Sequence, residues 1–436
     1  MKRTIPAAIG IAAAASLALT ACSGSSDASG GSSPTGPVTI TVSGWSLATT
    51  PEFQTLADAF HAKDPNVTVQ LKEYDPAQYT TLITADLAAG KAPDIVTQKE
   101  VKNVSVFQSG GQLMDVSDVV SKLPKDVSGT SSYKIDGKYY GVPYRQDSWV
   151  LFYNKDLFDK AGVKYPDGTW TWDDYATAAK TLTTNLKGKG SKALGTYEHS
   201  WQSTLQGFAN AQSPGADILS GKFDYLKPYY ERALGLQSAG AQVDLGTITT
   251  NSLTYQAQFG KQQAAMMPMG SWYVATLISQ QKSGDADTFK WGFAPAPQLD
   301  SSTTGLDKTP VTFGDPTAFA INANIDKSKV AAAKEFLTFA ASEEAATDLA
   351  KIGITPSITN DSVAQTFFSV AGAPTDDLSK FAWTKHETHP ENPTSSKTAS
   401  VQTILNDLHT AVMTGSSPID KAIKDAQDRF KSEVGS

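Results

Sequence analysis

Cysteine is almost absent from this sequence, since Cys22 is the only one in 436 residues. A single thiol cannot form an internal disulfide, and without a second cysteine a zinc or iron–sulfur cluster held by cysteines is excluded. An excess of positive charge is also lacking, because 37 Lys and Arg stand against 44 Asp and Glu, for a net charge of −7. With no basic surface to meet phosphates, a nucleic-acid partner is not expected.

Common catalytic and cofactor motifs are lacking as well. No G-x-S-x-G elbow, P-loop or H-E-x-x-H pair occurs, and the stretch HETHPEN from His386 favours a solvated loop over a metal site. The G-x-G-x-x-A match at Gly188 follows a predicted helix, so it is interpreted as a turn. We therefore expect no metal and no cofactor. With 44 acidic residues, a facing pair of carboxylates stays available, and a glycoside hydrolase remains an alternative.

The N-terminus has the pattern of an export signal. Lys2 and Arg3 precede a short apolar run, which is typical of a signal peptide over residues 1–21. The following stretch is rich in Ser and Gly and predicts a flexible tether over residues 22–37. The sequence LTAC resembles the bacterial lipobox, which implies that Cys22 carries a diacylglycerol and anchors the chain to the outer face of the cytoplasmic membrane.

Two series of strands alternating with helices follow the tether. VTITVSGW from Val38 and VTVQLKEY from Val67 alternate apolar and polar residues, as strands do. APDIVT, WVLFYN, KALGTY, AAMMPMG, KWGFAPAP and AFAIN predict further strands. Such alternation predicts an α/β fold with mainly parallel sheets flanked by helices. Two series in one exported chain indicate two lobes with a ligand cleft between them.

Aromatic and polar residues follow several of these strands. A sugar site needs flat aromatic faces together with polar groups for the hydroxyls. The candidates are Trp45, the segment from Thr97 to Glu100, YRQDSW from Tyr144, YEHSW from Tyr197, and GSWY from Gly270.

Each candidate also has a purely structural interpretation. Trp149 is more readily explained as a core residue than as a flat surface for a sugar. Arg145 and Asp147 can pair with each other on a surface. For Trp272, ligand contact and core packing are equally favoured. Trp170 and Trp172 can pack the start of a helix capped by Thr171 and Asp174.

The chain resembles the extracellular solute-binding proteins of bacterial carbohydrate ABC importers, the maltose-binding-protein-like family. The resemblance covers nearly all of the chain after the tether. It is carried by LADAFHAKDPNVTVQL, LAAGKAPDIV, YGVPY, LFYNKDLFDKAGV, TWTWDDY, AAMMPMGSW, AAKEFLTFAAS and AIKDAQDRF. YNKDLFDKAG with the following W-x-x-Y helix start is the most specific part.

The resemblance implies a set of ligand contacts. Trp272 and Trp201 would stack on the sugar, and Gln98, Arg145, Asp147 and Glu198 would bond its hydroxyls. Phe313 and Asp315 lie at an expected crossing and would close over it. Trp45, Tyr144 and Gly270 complete the candidates. Gln98 departs from maltose binders, which tend to have an aromatic residue there, and no platform can be aligned over residues 381–396. A maltodextrin specificity therefore does not follow from the resemblance.

The resemblance also implies a two-lobed clamshell with three chain crossings. The crossings are expected near residues 146–149, 313–316 and 354–357. The N-terminal lobe would comprise residues 38–147 and 315–356, and the C-terminal lobe residues 148–314 and 357–436. The implied protein is a monomeric, non-enzymatic receptor that delivers a carbohydrate to the permease subunits of an ABC importer. A surface glycosidase, a lipoprotein without a ligand, and a binder of an anionic sugar derivative through Arg145 stay open.

Overall fold

The computed structural model describes residues 36–48 and 50–435. The predicted signal peptide, Cys22 and most of the tether lie outside the described residues. Among the helices that are described, none is long and apolar enough to cross a membrane.

Twelve strands are present in the described residues. They are β1 (Val38–Trp45), β2 (Val67–Tyr74), β3 (Ile95–Gln98), β4 (Lys134–Ile135), β5 (Lys138–Tyr139), β6 (Val142–Gln146), β7 (Trp149–Asn154), β8 (Met266–Gly270), β9 (Trp291–Pro295), β10 (Val311–Phe313), β11 (Pro316–Ile321) and β12 (Glu387–His389).

Seventeen α-helices connect and cover these strands in the same part of the chain. They are α1 (Glu52–Lys63), α2 (Tyr79–Ala88), α3 (Val104–Ser109), α4 (Ser117–Val120), α5 (Lys155–Ala161), α6 (Trp172–Gly188), α7 (Ser203–Gln212), α8 (Lys227–Ser238), α9 (Leu245–Thr250), α10 (Tyr255–Gly260), α11 (Tyr273–Ser283), α12 (Val330–Ala340), α13 (Glu343–Ala350), α14 (Asp361–Phe368), α15 (Asp377–Thr384), α16 (Thr398–Met413) and α17 (Ile419–Glu433).

The first sheet has five strands in the order β2-β1-β3-β11-β6. Strands β1, β2 and β3 run parallel, whereas β11 runs against both β3 and β6. Successive residues of β11 face opposite sides of the sheet. Phe319 packs with Phe53 and Phe336 on one side, and Ala318 joins a second core with Tyr79 on the other. Both faces of this sheet are therefore buried.

The second sheet has three strands in the order β8-β7-β9. Its core is aromatic, with Phe152 packed against Tyr273 and Phe293 at ring-centroid distances of 5.4 and 5.8 Å. The α/β class is confirmed, but the expectation of mainly parallel strands is wrong here. Strand β7 enters directly from the first sheet and runs against both neighbours. The predicted strand KALGTY is also wrong, since within it Leu194 makes only one parallel bridge to Ala264.

Helix α6 begins as the sequence predicts. Thr171 and Asp174 form a reciprocal capping box, in which each side chain accepts a hydrogen bond from the backbone N–H of the other. Trp172 is buried at the first turn, and its ring packs on Phe208 with centroids 4.9 Å apart. The structural interpretation of this tryptophan is confirmed.

The chain passes between the two sheets at segments that lie side by side. β6 leads into β7 through Asp147 and Ser148, and β10 leads into β11 through Gly314. A Cβ on Gly314 would lie 2.2 Å from the carbonyl oxygen of Asp147, so no other residue fits between the two segments. A third segment joins them, because Arg145 forms a bridge with Pro356.

A short parallel pair of strands, β10 and β12, extends this region. β12 lies in the stretch HETHPEN, which was predicted as a solvated loop. That prediction is wrong, since residues 387–389 form a strand and the His386 ring Nδ1–H donates a hydrogen bond to the Ala382 carbonyl, 3.1 Å away. Burial lowers the pKa of His386.

Candidate ligand-binding site

The candidate site begins at one edge of the first sheet. β1 ends at Trp45 and β3 ends at Gln98, and because these strands are parallel, both residues reach the same edge. β6 runs antiparallel to β11, with Gln146 opposite Pro316, and Ala318 of β11 is opposite Gln98. The crossings to the second sheet therefore leave from the edge that carries Trp45 and Gln98.

The adjoining edge of the second sheet carries aromatic residues. β7 begins at Trp149, which is paired with Gly270 at the end of β8. Trp272 follows two residues later and immediately precedes α11. The Trp149 and Trp272 rings meet edge to face, with centroids 5.5 Å apart. Trp149 itself is 2% exposed, which places it in the core.

An aromatic patch, formed by Trp201, Tyr255 and Trp272, lies over the buried Trp149. Trp201 is 41% exposed, and its ring lies 6.4 Å from that of Trp272 and 5.6 Å from that of Tyr255. His199 supports the patch from one side, with its ring 4.5 Å from Trp201. Partly exposed aromatic faces on a buried aromatic floor can accept the apolar face of a ligand.

The position of Trp272 depends on Gly270. A Cβ on Gly270 would lie 1.9 Å from the nearest atom of the Trp272 ring. The indole therefore folds back over the glycine at the point where β8 ends. Gly270 is buried, and its contribution to the site is the space that it leaves for the ring.

Gln98 supplies an unpaired amide at the edge of the first sheet. Its side chain is 1% exposed, and neither Oε1 nor Nε2 has a hydrogen-bond partner among the described residues. Buried amides are normally bonded, so two unpaired atoms on one side chain indicate a position built to bond something else. An amide both donates and accepts, which suits hydroxyl groups.

Trp45 bounds the same edge and is held by its neighbours. Its ring packs edge to face against Phe53 and Tyr79, each with centroids 5.0 Å apart. Lys99 places its ammonium nitrogen 5.2 Å from the centroid of the Trp45 ring. Its indole therefore has a fixed orientation while remaining partly exposed.

Arg145 and Asp147 form a buried ionic network with Glu52. The Arg145 Nε donates to Asp147 Oδ2 and its Nη1 donates to Glu52 Oε2, both at 2.5 Å. Glu52 is fully buried at the first residue of α1. Burial raises the pKa of Glu52, and the nearby guanidinium opposes this shift. Burial alone would lower the pKa of Arg145, but the two carboxylates outweigh it and raise that pKa. Arg145 and Asp147 do pair, but in the interior and with a third partner.

Asp315 lies where β10 leads into β11 and faces the segment after β12. Its carboxylate accepts hydrogen bonds from the backbone N–H groups of Glu391 and Asn392, at 2.9 and 3.1 Å, and from the Asn392 side chain at 2.7 Å. Burial raises the pKa of Asp315 despite these bonds. Burial and the charge of Asp315 raise the pKa of Glu391.

Two aromatic residues expected to touch a ligand have their rings in the interior. Tyr144 is fully buried and stacks on Phe319, with ring centroids 4.3 Å apart. Phe313 is fully buried and stacks on Trp149 at 5.0 Å. The expectation that these side chains meet the cleft is corrected, because both rings are enclosed by other aromatic rings. They support the site from behind.

Glu198 is also buried. It is 2% exposed, and its Oε1 accepts a hydrogen bond from the Tyr175 hydroxyl at 3.1 Å. Burial raises the pKa of Glu198, opposed by the nearby charge of Arg232 and by the Tyr175 bond. Within YEHSW, therefore, it is Trp201 and not Glu198 that reaches the patch.

Sequence reasoning missed several residues of the site. Tyr255 lies at a helix start far from any predicted strand end, and Glu52 is 93 residues from its partner Arg145. No rule based on spacing in the sequence could have predicted either residue as part of the site. Ser271, by contrast, stands between two identified residues, and its buried hydroxyl donates to Asp147 Oδ1 at 2.7 Å.

Comparison with known proteins agrees with this architecture. The model of the family described as bacterial extracellular solute-binding proteins matches residues 44–347. A solved sugar transporter from Rhizobium etli, in an open conformation, is 32% identical, with a TM-score of 0.76, and the alignment covers 91% of this chain and 99% of that one.

Two curated relatives match shorter stretches. The arabinooligosaccharide-binding protein of Bacillus subtilis is 27% identical over 164 residues, 36% of each chain. The sn-glycerol-3-phosphate-binding periplasmic protein of Shigella dysenteriae is 31% identical over 167 residues, also 36% of each chain. The family match spans more than half of the sequence, and the Rhizobium protein shares the fold over nearly its whole length. This chain belongs to the bacterial extracellular solute-binding proteins.

Proposed function

We propose that this protein captures an oligosaccharide outside the cell, holds it between its two sheets and delivers it to the permease of an ABC importer. The aromatic patch carries the proposal, because Trp201, Tyr255 and Trp272 offer flat apolar faces beside a crossing. The unpaired amide of Gln98 adds the polar group that hydroxyls require. The names of the Rhizobium and Bacillus relatives support a sugar ligand.

The proposed contacts are the aromatic faces of the patch and the unpaired amide of Gln98. Trp201 and Trp272 stack on the sugar, Gln98 bonds its hydroxyls, and Trp45 closes the opposite side. Asp147 and Arg145 hold the crossing rigid beneath the ligand. Binding is followed by release to the permease and not by covalent chemistry.

A second candidate is an anionic sugar derivative, favoured by the Shigella relative, which binds sn-glycerol-3-phosphate. The ion pairs that Arg145 already makes argue against an anionic ligand. The guanidinium already meets the carboxylates of Glu52 and Asp147, so this cluster has a net negative charge. A phosphate would be repelled by it.

A thermal-shift panel tests the ligand class. The panel contains arabinotriose, xylotriose and maltotriose as neutral oligosaccharides, and sn-glycerol 3-phosphate and glucose 6-phosphate as anions. A ligand at 100 times its Kd adds about 2.7 kcal/mol to the free energy of unfolding, which raises Tm. We expect a neutral oligosaccharide to raise Tm. A response to the phosphates alone would overturn the proposed ligand class.

A matched pair of variants locates the binding surface. Trp201→Ala should abolish most of the shift, whereas Tyr165→Ala should leave it unchanged. Both side chains are exposed aromatics of similar accessibility, at 41% and 37%, but only Trp201 belongs to the patch. Equal shifts in the two variants would remove the patch from the site. Release of reducing ends from the oligosaccharide over hours would instead indicate a glycosidase.

The domain organisation is proposed on the same basis. The lobes comprise residues 38–147 with 315–356 and residues 148–314 with 357–436, and they close about the crossings like other hinged binding proteins. The protein acts as a monomer. Residues 1–21 direct export, and a diacylglycerol on Cys22 supplies the two acyl chains that stable anchoring to the cytoplasmic membrane requires. Residues 22–37 tether the lobes near the permease.

A further inference from the structure

The hydroxyl of Ser271 is a junction between the crossings and the second sheet. Ser271 is 1% exposed. Its Oγ donates to Asp147 Oδ1 at 2.7 Å and accepts from Thr355 Oγ1 at 3.1 Å and from the backbone N–H of Ser148 at 3.3 Å. One hydroxyl thus joins the first crossing, the third crossing and the end of β8.

The same junction is linked to the first sheet through charged groups. Asp147 accepts from Arg145, which also donates to Glu52 at the start of α1. Bonds of this kind, with an ionised group on each side, are stronger and more directional than neutral ones. A continuous bonded chain therefore runs from α1 to Ser271.

Ser271 stands directly before Trp272, whose indole also packs near the Trp201 ring, with centroids 6.4 Å apart. Its ring lies over Gly270, which offers no side chain to grip it, and it meets Trp149 edge to face. The backbone at residue 271 is therefore one of the restraints on its position, beside the neighbouring rings. The backbone N–H of Ser271 donates to the Ser148 carbonyl at 2.9 Å, so Ser271 is held at both its main chain and its side chain.

We propose that Ser271 is a positioning residue for ligand recognition, whose hydroxyl holds the Trp272 indole at a fixed place relative to Asp147 and, through Arg145 and Glu52, relative to the first sheet. This inference rests on the proposed function, in which Trp272 stacks on the sugar. Loss of the hydroxyl removes one restraint on the indole without removing any group that touches the ligand. The affinity falls because a stacked ring contributes only when it is already in place.

A merely structural role would give a different result, and Ser379 provides the matched control. Ser379 is also a fully buried serine whose hydroxyl donates to an aspartate, Asp376, at 3.0 Å and accepts from a backbone N–H of β9 at 3.1 Å. Ser379→Ala removes the same kind of bond from the same lobe. Only Ser271→Ala removes it next to Trp272.

The deciding measurement needs no ligand. Full-length protein is labelled with 5-fluorotryptophan, and the Trp272 signal among the eight tryptophans is assigned by its loss in Trp272→Phe. In the ¹⁹F NMR spectrum, Ser271→Ala should shift and broaden the Trp272 signal, whereas Ser379→Ala should leave it in place. If Ser271→Ala does not fold, Thr355→Val weakens the same junction and should move the same signal. A Trp272 signal unchanged by loss of the junction would overturn the proposal.

Affinity for arabinotriose completes the test. If the wild-type protein binds it, Kd should rise at least tenfold in Ser271→Ala and less than twofold in Ser379→Ala, and equal values would overturn the proposal. If the wild-type protein binds no sugar while Ser271→Ala still moves the Trp272 signal, the proposed ligand class fails and the positioning role stands.

Discussion

Substituting Gly270 by alanine should displace the central aromatic face of the site. The new Cβ would lie 1.9 Å from Trp272 Cζ3 and 2.2 Å from Cε3 and Cη2. Ordinary carbon contacts lie at about 3.5–4.0 Å, so the ring must move by about 1.5 Å. The φ angle of Gly270 is not in the left-handed region, and the backbone accepts alanine. The clash with the indole is therefore the whole effect.

The size of the effect on stability and affinity follows from the packing that the Trp272 ring loses. Overpacking of a tight site costs about 1–3 kcal/mol, and the edge-to-face contact with Trp149 is worth about 0.5–1.5 kcal/mol. We therefore expect Gly270→Ala to lower the free energy of unfolding by about 1–3 kcal/mol. The displaced indole no longer meets the sugar in its proposed orientation, and Kd should rise at least tenfold, which corresponds to about 1.4 kcal/mol.

The assay combines calorimetric titration of the oligosaccharide found in the panel with denaturant unfolding. Gly235→Ala is the control, because Gly235 lies inside α8 with open space around it. That variant should gain about 0.5–1 kcal/mol of stability and keep its affinity. Wild-type affinity in Gly270→Ala would refute the argument that this glycine makes room for Trp272.

Three further outcomes are expected. Arg145→Met should lower the free energy of unfolding by about 3–5 kcal/mol in denaturant titration, because it leaves buried Glu52 without its cation; adding Glu52→Gln should recover part of the loss, and no recovery would contradict the ionic network. Burial beside Asp315 raises the pKa of Glu391 to about 8 from 4.5, so the folded protein retains a proton that the unfolded chain releases, and this one carboxyl contributes a downward slope to Tm between pH 4.5 and 8. Glu391→Gln should flatten that slope, and an unchanged slope would speak against the buried carboxyl. Cys22→Ser should bind the sugar normally but leave the membrane fraction, whereas retention there would contradict lipid anchoring.

Local patterns in the sequence predicted much of the fold. The alternation in VTITVSGW corresponds to β1, and the T-x-x-D spacing at Thr171 corresponds to the capping box of α6. These features depend on neighbours within a few residues. Trp149 was correctly interpreted as core, because aromatic residues in strands usually pack.

Long-range partners could not be predicted in the same way. Arg145 and Asp147 look like a surface pair until α1 brings Glu52 against them. Glu198 and Trp201 are three residues apart, yet one points into the lobe and the other reaches its surface. Strand direction in the second sheet was mistaken for the same reason, since the entry of β7 from the first sheet is a property of the whole chain path.

The close approach of Gly314 to the Asp147 carbonyl has a mechanical consequence. Two chain segments that touch backbone to backbone cannot twist independently, and the Arg145–Pro356 bridge ties in the third. In the proposed closure, the three segments therefore form a single hinge with one axis of rotation. A rotation of the second sheet would then sweep Trp201 and Trp272 along one arc, so the opening of the cleft is described by one angle.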